Sequence, residues 1–280
     1  MITPLLATAT SALFGCADFL GGFASKRDSA VSVTATSHML GLVILGIASM
    51  VIGASGGVWP DTAWGAVAGV SGGIGVVALY ASLARGRMSV VAPITAALAG
   101  AIPATIDVAR GTPLGPTTGI GIVLALAAIV IVTAAPSADD GVTTHPSAIP
   151  LALLAGVGFA GSFLALANTT AASGLWPLVG ARVVSVTLFG TLATVRSGTP
   201  FVTPEARRAT LMAGVFDSCA SITMLMAIRI GPLAVAAVLG SLYPVVVVLL
   251  ARFVLGERLR WLQRAGVVGA LAAVVMTALP

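Results

Sequence analysis

GTPLGPTTGIGIVLALAA, residues 111–128, returns 145 positions later as GERLRWLQRAGVVGALAA, residues 256–273. Gly111 falls on Gly256, Leu114 on Leu259 and Gly121 on Gly266, without a gap. Ala125-Leu126-Ala127-Ala128 falls on Ala270-Leu271-Ala272-Ala273. The same shift sets Gly86 on Gly231 and Phe14 on Phe159. Some coincidences are expected in a chain rich in Ala, Gly, Val and Leu. Glycines repeated at matching loop positions are harder to obtain by chance, so the chain reads as an internal duplication.

The surroundings of that repeat are apolar almost throughout. Of 280 residues, 58% are hydrophobic and 8% charged, with a mean hydropathy of +1.09. Soluble domains carry roughly 25% charged residues, which excludes a water-soluble globular fold. Ten apolar runs stand out, at about 4–25, 29–53, 62–84, 88–108, 116–135, 148–170, 175–195, 208–228, 232–252 and 261–279. They are too long, and too apolar on every side, for barrel strands of about ten alternating residues. The expected fold is an all-α membrane protein of ten transmembrane helices. Residues 1–135 form the first five-helix repeat, 136–147 a polar linker, and 148–280 the second repeat.

Five is an odd number, so the second copy enters the membrane from the side opposite to the first. Two similar bundles of opposite orientation have two nearly equivalent packings, one open to each face, which is the architecture of alternating access.

Other classes find little support. The net charge of +5, from 14 Lys and Arg against 9 Asp and Glu, is spread over short loops. That suits anionic lipid headgroups and not nucleic acid. Cys16 and Cys219 give neither a disulfide framework nor metal-ligand spacing, and no cofactor is expected. Neither GxxxxGK[ST] nor HExxH occurs. Met1 to Thr10 has no basic leader and reads as the start of the first membrane helix, not a removed signal. Trp59, Trp64, Trp176 and Trp261 all fall at expected helix ends, where an indole meets the headgroups.

At the level of motifs the chain resembles the EamA family of the drug/metabolite transporter superfamily. The residues that carry the resemblance are Tyr243-Pro244-Val245 followed by Gly256-Glu257-Arg258-Leu259, and Ile230-Gly231-Pro232-Leu233-Ala234 before them. Arg182 stands where the family has an arginine in the second helix of a repeat. The first repeat departs from this pattern: Gly111-Thr112-Pro113-Leu114 lacks the acidic residue, Ala99 replaces the proline, and Pro103 comes one turn later. His38 lies near the position matching Arg182. The resemblance implies ten helices in two five-helix repeats. It also implies a secondary transporter, often an exporter of amino acids or other small metabolites, in a cell membrane of the bacterial inner-membrane type.

Ionisable residues inside spans are the natural pathway candidates, because an aspartate at mid-bilayer costs about 2.5–3.5 kcal/mol and must be paired, protonated or turned inward. Asp217 lies near the midplane of the eighth span with Ser221 on its face, and reads as a proton-coupling or substrate-amine site, or as glue between helices. Asp18 shares a face with Ser11, Gly15 and Gly22, and could instead reach toward Lys26. Arg182, with Ser185 at i+3, could hold a substrate carboxylate, neutralise an aspartate or snorkel. His38 is a possible proton relay or a hydrogen-bonded structural group. Asp107 reads as a local partner of Arg110. Arg229, Arg258 and Arg260 read as solvated.

Pro93, Pro103, Pro177 and Pro244 each remove a helix hydrogen bond and are hinge or kink candidates, with the Tyr243 hydroxyl a substrate contact. Gly65, Gly69 and Gly73 read as a helix-packing ladder.

Odd-numbered loops, counted with Arg264 just inside the tenth span, hold eleven of the fourteen cationic residues, and even-numbered loops hold Arg110 and Arg229. The positive-inside rule then places both termini outside, whereas the resemblance places them inside. The function expected overall is secondary transport of a small organic solute, open to proton coupling, by a monomer or homodimer surrounded by lipid. A channel, a membrane scaffold or an intramembrane enzyme are the alternatives.

Overall fold

The computed structural model describes residues 2–86, 88–134, 145–254 and 261–278. Helices dominate, and no strand occurs among these residues. In chain order they are α1 (Ile2–Ala24), α2 (Ala30–Ile52), α3 (Val58–Arg85), α4 (Met88–Ala109), α5 (Pro116–Ala134), α6 (Ala148–Leu166), α7 (Trp176–Ser197), α8 (Pro204–Ile230), α9 (Leu233–Gly240), α10 (Tyr243–Val254) and α11 (Trp261–Ala278). A single 3-10 turn, Ala171–Ser173, lies between α6 and α7. Six helices (α1, α2, α3, α6, α7 and α8) are long and apolar enough to cross a membrane. Shorter apolar helical stretches occupy the other four expected spans.

The distribution of side chains is that of a protein solvated by lipid. Large apolar groups such as Val43, Ile47, Val67, Ile74, Leu153 and Leu188 face outward. Small and polar groups face inward: Thr34, His38, Gly41, Leu45 and Ser49 form one buried stripe at helical spacing on α2. With lipid outside, no hydrophobic force sorts Leu from Ala, so small residues that allow close approach take the interior. The ladder on α3 does this against α7. A Cβ on Gly65 would lie 2.6 Å from the carbonyl carbon of Pro177, and one on Gly69 would lie 2.7 Å from Ala181 Cα. Gly73 faces the ring of Phe189. Among the principal pairings, α1 packs on α8 as α3 does on α6, while α2 meets α7 and α5 meets α11.

Helix ends follow local chemistry. Ser29 caps α2 by accepting from the Ser32 amide at 3.0 Å. Gly53 (φ 74°) and Gly198 (φ 77°) end α2 and α7 in the left-handed region. Pro204 opens α8 four residues before the expected start at 208.

Hydrogen bonds gather the loops into two sets. At one end Asp28 accepts from the Thr203 amide (2.7 Å), and the His145 amide donates to the Arg85 carbonyl (3.1 Å). At the other end the Ser55 amide donates to Ala172 (2.8 Å), and Asp107 accepts from the Ala234 amide (2.8 Å). Loops one, three, five and seven therefore share the first end, and loops two, four, six and eight the second.

The structure corrects several expectations. The ninth span is two helices, α9 and α10, separated at Ser241-Leu242. Pro244 stands second in α10 and so starts a helix instead of kinking one. Pro177 is likewise in the first turn of α7, where a missing N–H costs nothing. Pro93 and Pro103 lie within α4, which runs unbroken from Met88 to Ala109. Asp107 does not pair with Arg110: its carboxylate accepts from the Thr112 hydroxyl (2.8 Å) and from the second amide of α9, where the helix dipole favours a negative charge. The stretch Gly256-Glu257-Arg258-Leu259, Arg260 and most of the linker lie outside the described residues.

Candidate functional site

Three helices, α2, α7 and α8, deliver one buried polar cluster. Asp217 is the central residue of the 27-residue α8, and Arg182 extends from α7 to reach it. Arg182 Nη2 donates to Asp217 Oδ2 in an ion pair and also to Ser221 Oγ at 3.0 Å. Arg182 Nη1 donates to His38 Nε2 at 3.2 Å, and His38 Nδ1 meets Ser185 Oγ at 2.9 Å. A guanidinium has no acceptor, so His38 Nε2 must carry the lone pair and Nδ1 the proton. Ser185 accepts that proton and donates its own to the Arg182 carbonyl at 3.2 Å. His38 is thus the neutral support of Arg182. Gly41, one turn after His38 on α2, makes the room: a Cβ there would lie 2.9 Å from Ser218 Oγ and 3.1 Å from Arg182 Nε.

The cluster forms one wall of a cavity of about 60 Å³. A water needs roughly 10–15 Å³ on this measure, so a few waters fit. Phe14, Leu45, Gly69, Gly72 and Gly73 line it from α1–α3, and Phe159, Ser162, Arg182, Asp217 and Ser221 from α6–α8. Its glycines let α3 approach closely, and its polar groups all come from the later helices.

Asp18 stands apart from this ion pair. It is 8% exposed, and among the described residues no hydrogen bond or ion pair reaches its carboxylate. It does not extend to Lys26. Asp217, Tyr80 and Tyr243 all lie within its electrostatic reach. Tyr243 is buried beside Thr95, yet its hydroxyl has no hydrogen bond of good geometry. Tyr243 is not among the residues that line the cavity.

Sequence reading missed Tyr80, one of only two tyrosines in the chain, which is buried against Gly21 of α1. It also missed a second polar cluster at the end that holds loops two, six and eight. Asp61 on α3 accepts from the Thr170 amide (2.7 Å) and hydroxyl (2.8 Å). Arg229, expected to be solvated, is half-buried there. It donates to the Gly174 carbonyl (2.6 Å), Ser173 Oγ (3.0 Å) and Thr169 Oγ1 (3.2 Å). Arg229 sits at a helix end, so the sequence alone favoured water for it.

No group of three or more His, Cys, Asp or Glu suited to a metal ion occurs among the described residues. Comparison with curated proteins finds no match. Among solved structures, one described only as the crystal structure of a protein is similar over 98% of this chain and 95% of its own, with a TM-score of 0.75 and 17% identity. That likeness shows a shared fold and says nothing of substrate. Residues 146–279, the second half of this membrane protein, match the model of the EamA-like transporter family.

Proposed function

We propose that the chain is a secondary transporter that exports small organic solutes, amino acids or related metabolites, from a cell of bacterial type. In this reading residues 1–135 and 148–280 are two inverted five-helix repeats joined by the linker 136–147, and substrate passes between them by alternating access. The observation that carries it is the cavity at mid-helix depth, enclosed by α1–α3 on one side and α6–α8 on the other, with the Arg182–Asp217 pair in its wall. Two further facts support it. The pairing of α1 with α8 repeats that of α6 with α3, as exchange of two equivalent halves requires. The ninth span is broken, and discontinuous helices are a recurrent feature of transporter interiors.

Arg182, Asp217 and Ser221 are the groups placed to contact a solute, with His38 holding Arg182 in position. The test is flux in liposomes containing the purified protein, loaded with labelled metabolites that accumulate or disappear when cells overproduce it. Saturable, counter-exchanging flux lost in Arg182→Ala is the expected result. Absence of flux for every solute, or a non-saturating conductance, overturns the reading.

A further inference from the structure

The chamber is not covered equally at its two ends. Toward the end that holds loops one, three, five and seven, the lining residue nearest a helix end is Val76, nine positions before Arg85. At 1.5 Å per residue, about 13 Å or more of packed helix closes that side. Toward the other end the lining runs out to Leu166, the last residue of α6, and Leu178, the third of α7. Between these two lies only the short connection 167–175 with its 3-10 turn Ala171–Ser173. Thr169, Ser173 and Leu175 of this connection are buried, so it is folded into the bundle and not laid over it.

The hydrogen bonds that hold the connection fall into two groups. The first group crosses between residues 1–135 and 148–280. Asp61, 5% exposed, accepts from the amide and hydroxyl of Thr170, and the Ala172 carbonyl accepts from the amides of Ser55 (2.8 Å) and Gly56 (3.2 Å). Gly174 (φ 56°) lies against the Gly53 carbonyl with no room for a Cβ. The second group stays within 148–280, where Arg229 fastens Thr169, Ser173 and Gly174 to the last turn of α8. When the two halves part at this end, the first group must break and the second need not. The turn then travels with α8.

Resting on the transport reading above, we infer that the connection 167–175 is the gate of the chamber at this end, and that Asp61 is the latch that holds it shut. A carboxylate suits that task. Its charge-assisted bonds to the Thr170 donors are strong while the site is dry, and water replaces them at small net cost once the site is wet. A half-open gate, dry but unpaired, is the state it disfavours. Asp28, which accepts from the Thr203 amide at 2.7 Å, joins the halves in the same way at the opposite end, but there helices and not a turn cover the chamber.

The test is the rate at which a membrane-impermeant thiol reagent reaches Ser162→Cys, a chamber position, in full-length protein in vesicles with Cys16 and Cys219 replaced by Ser. Arg110→Cys and Arg196→Cys, exposed positions at opposite ends, tell the two faces apart. Asp61→Ala is expected to raise labelling from the Arg110 face about tenfold or more, with no rise from the Arg196 face. Asp61→Asn, whose amide oxygen still accepts, should stay closer to the parent, and Thr170→Val, which loses the hydroxyl bond alone, should give a smaller rise. Asp28→Ala should not raise labelling from the Arg110 face. Unchanged labelling from that face in both Asp61→Ala and Thr170→Val overturns the latch. An equal rise from both faces shows general loosening and overturns the gate, and so does a matching rise in Asp28→Ala. Thr170→Val supplies the answer if Asp61→Ala fails to fold. Labelling requires no flux, so a failure of transport in liposomes leaves it readable and the two failures are distinct.

Discussion

Removing the Arg182 guanidinium would leave Asp217 at the centre of α8 without its counter-charge and free the acceptor on His38. Arg182→Ala is expected to lower stability in detergent by about 2–3 kcal/mol, read as a fall in thermal midpoint. The double variant Arg182→Ala/Asp217→Ala should lose less than the sum of the two single variants, because removing both charges leaves none stranded. Strict additivity would show that the pair contributes no coupling. Gly41→Ala acts on the same pair through space alone, since the new methyl would press on Ser218 Oγ and Arg182 Nε. Reduced transport with near-normal folding is the expected outcome, and unchanged flux would show that Arg182 has slack. The ionisable residues of this cluster were visible in the sequence as charges inside apolar runs. Their pairing was not, because Arg182 and His38 lie 144 positions apart, and span boundaries known to a few residues do not fix which faces meet.

Among the elements, the glycine ladder on α3 was legible because small residues every fourth position can serve only one face of a helix. Gly65→Val should disrupt the α3–α7 contact and cost about 1–3 kcal/mol or prevent folding, measured by thermal unfolding against Gly46→Val, whose Cβ meets nothing within 4 Å. The break between α9 and α10 was not legible: an apolar run with one internal proline, Pro244, reads the same whether it bends or restarts. Its start is also held from a distance, by Asp107 on α4. The Asp61–Thr170 and Arg229–Ser173 hydrogen bonds tie three loops together at one end of the bundle. Arg229→Ala removes at least one charged hydrogen bond, worth about 1.5–3 kcal/mol. Amide exchange over 169–174 and at Ser55 and Gly56 should therefore quicken roughly tenfold or more. Unaltered protection there would show that Arg229 is not what holds the loops.

At the scale of the whole molecule the account rests on two halves enclosing one small wet chamber. Composition and the 145-residue repeat were enough to expect helices, membrane and duplication. The chamber itself could not be read from them, since its wall is made of Gly69, Gly72 and Gly73, residues with no side chain to announce a site. The most direct test uses Ser162→Cys and Ser221→Cys, two chamber positions on α6 and α8, in a background where Cys16 and Cys219 are replaced by Ser. Vesicles of both orientations are treated with a membrane-impermeant thiol reagent. Each cysteine is expected to react from both faces, and substrate is expected to slow the labelling. Labelling from one face only, or from neither, under every condition would contradict alternating access to a central chamber.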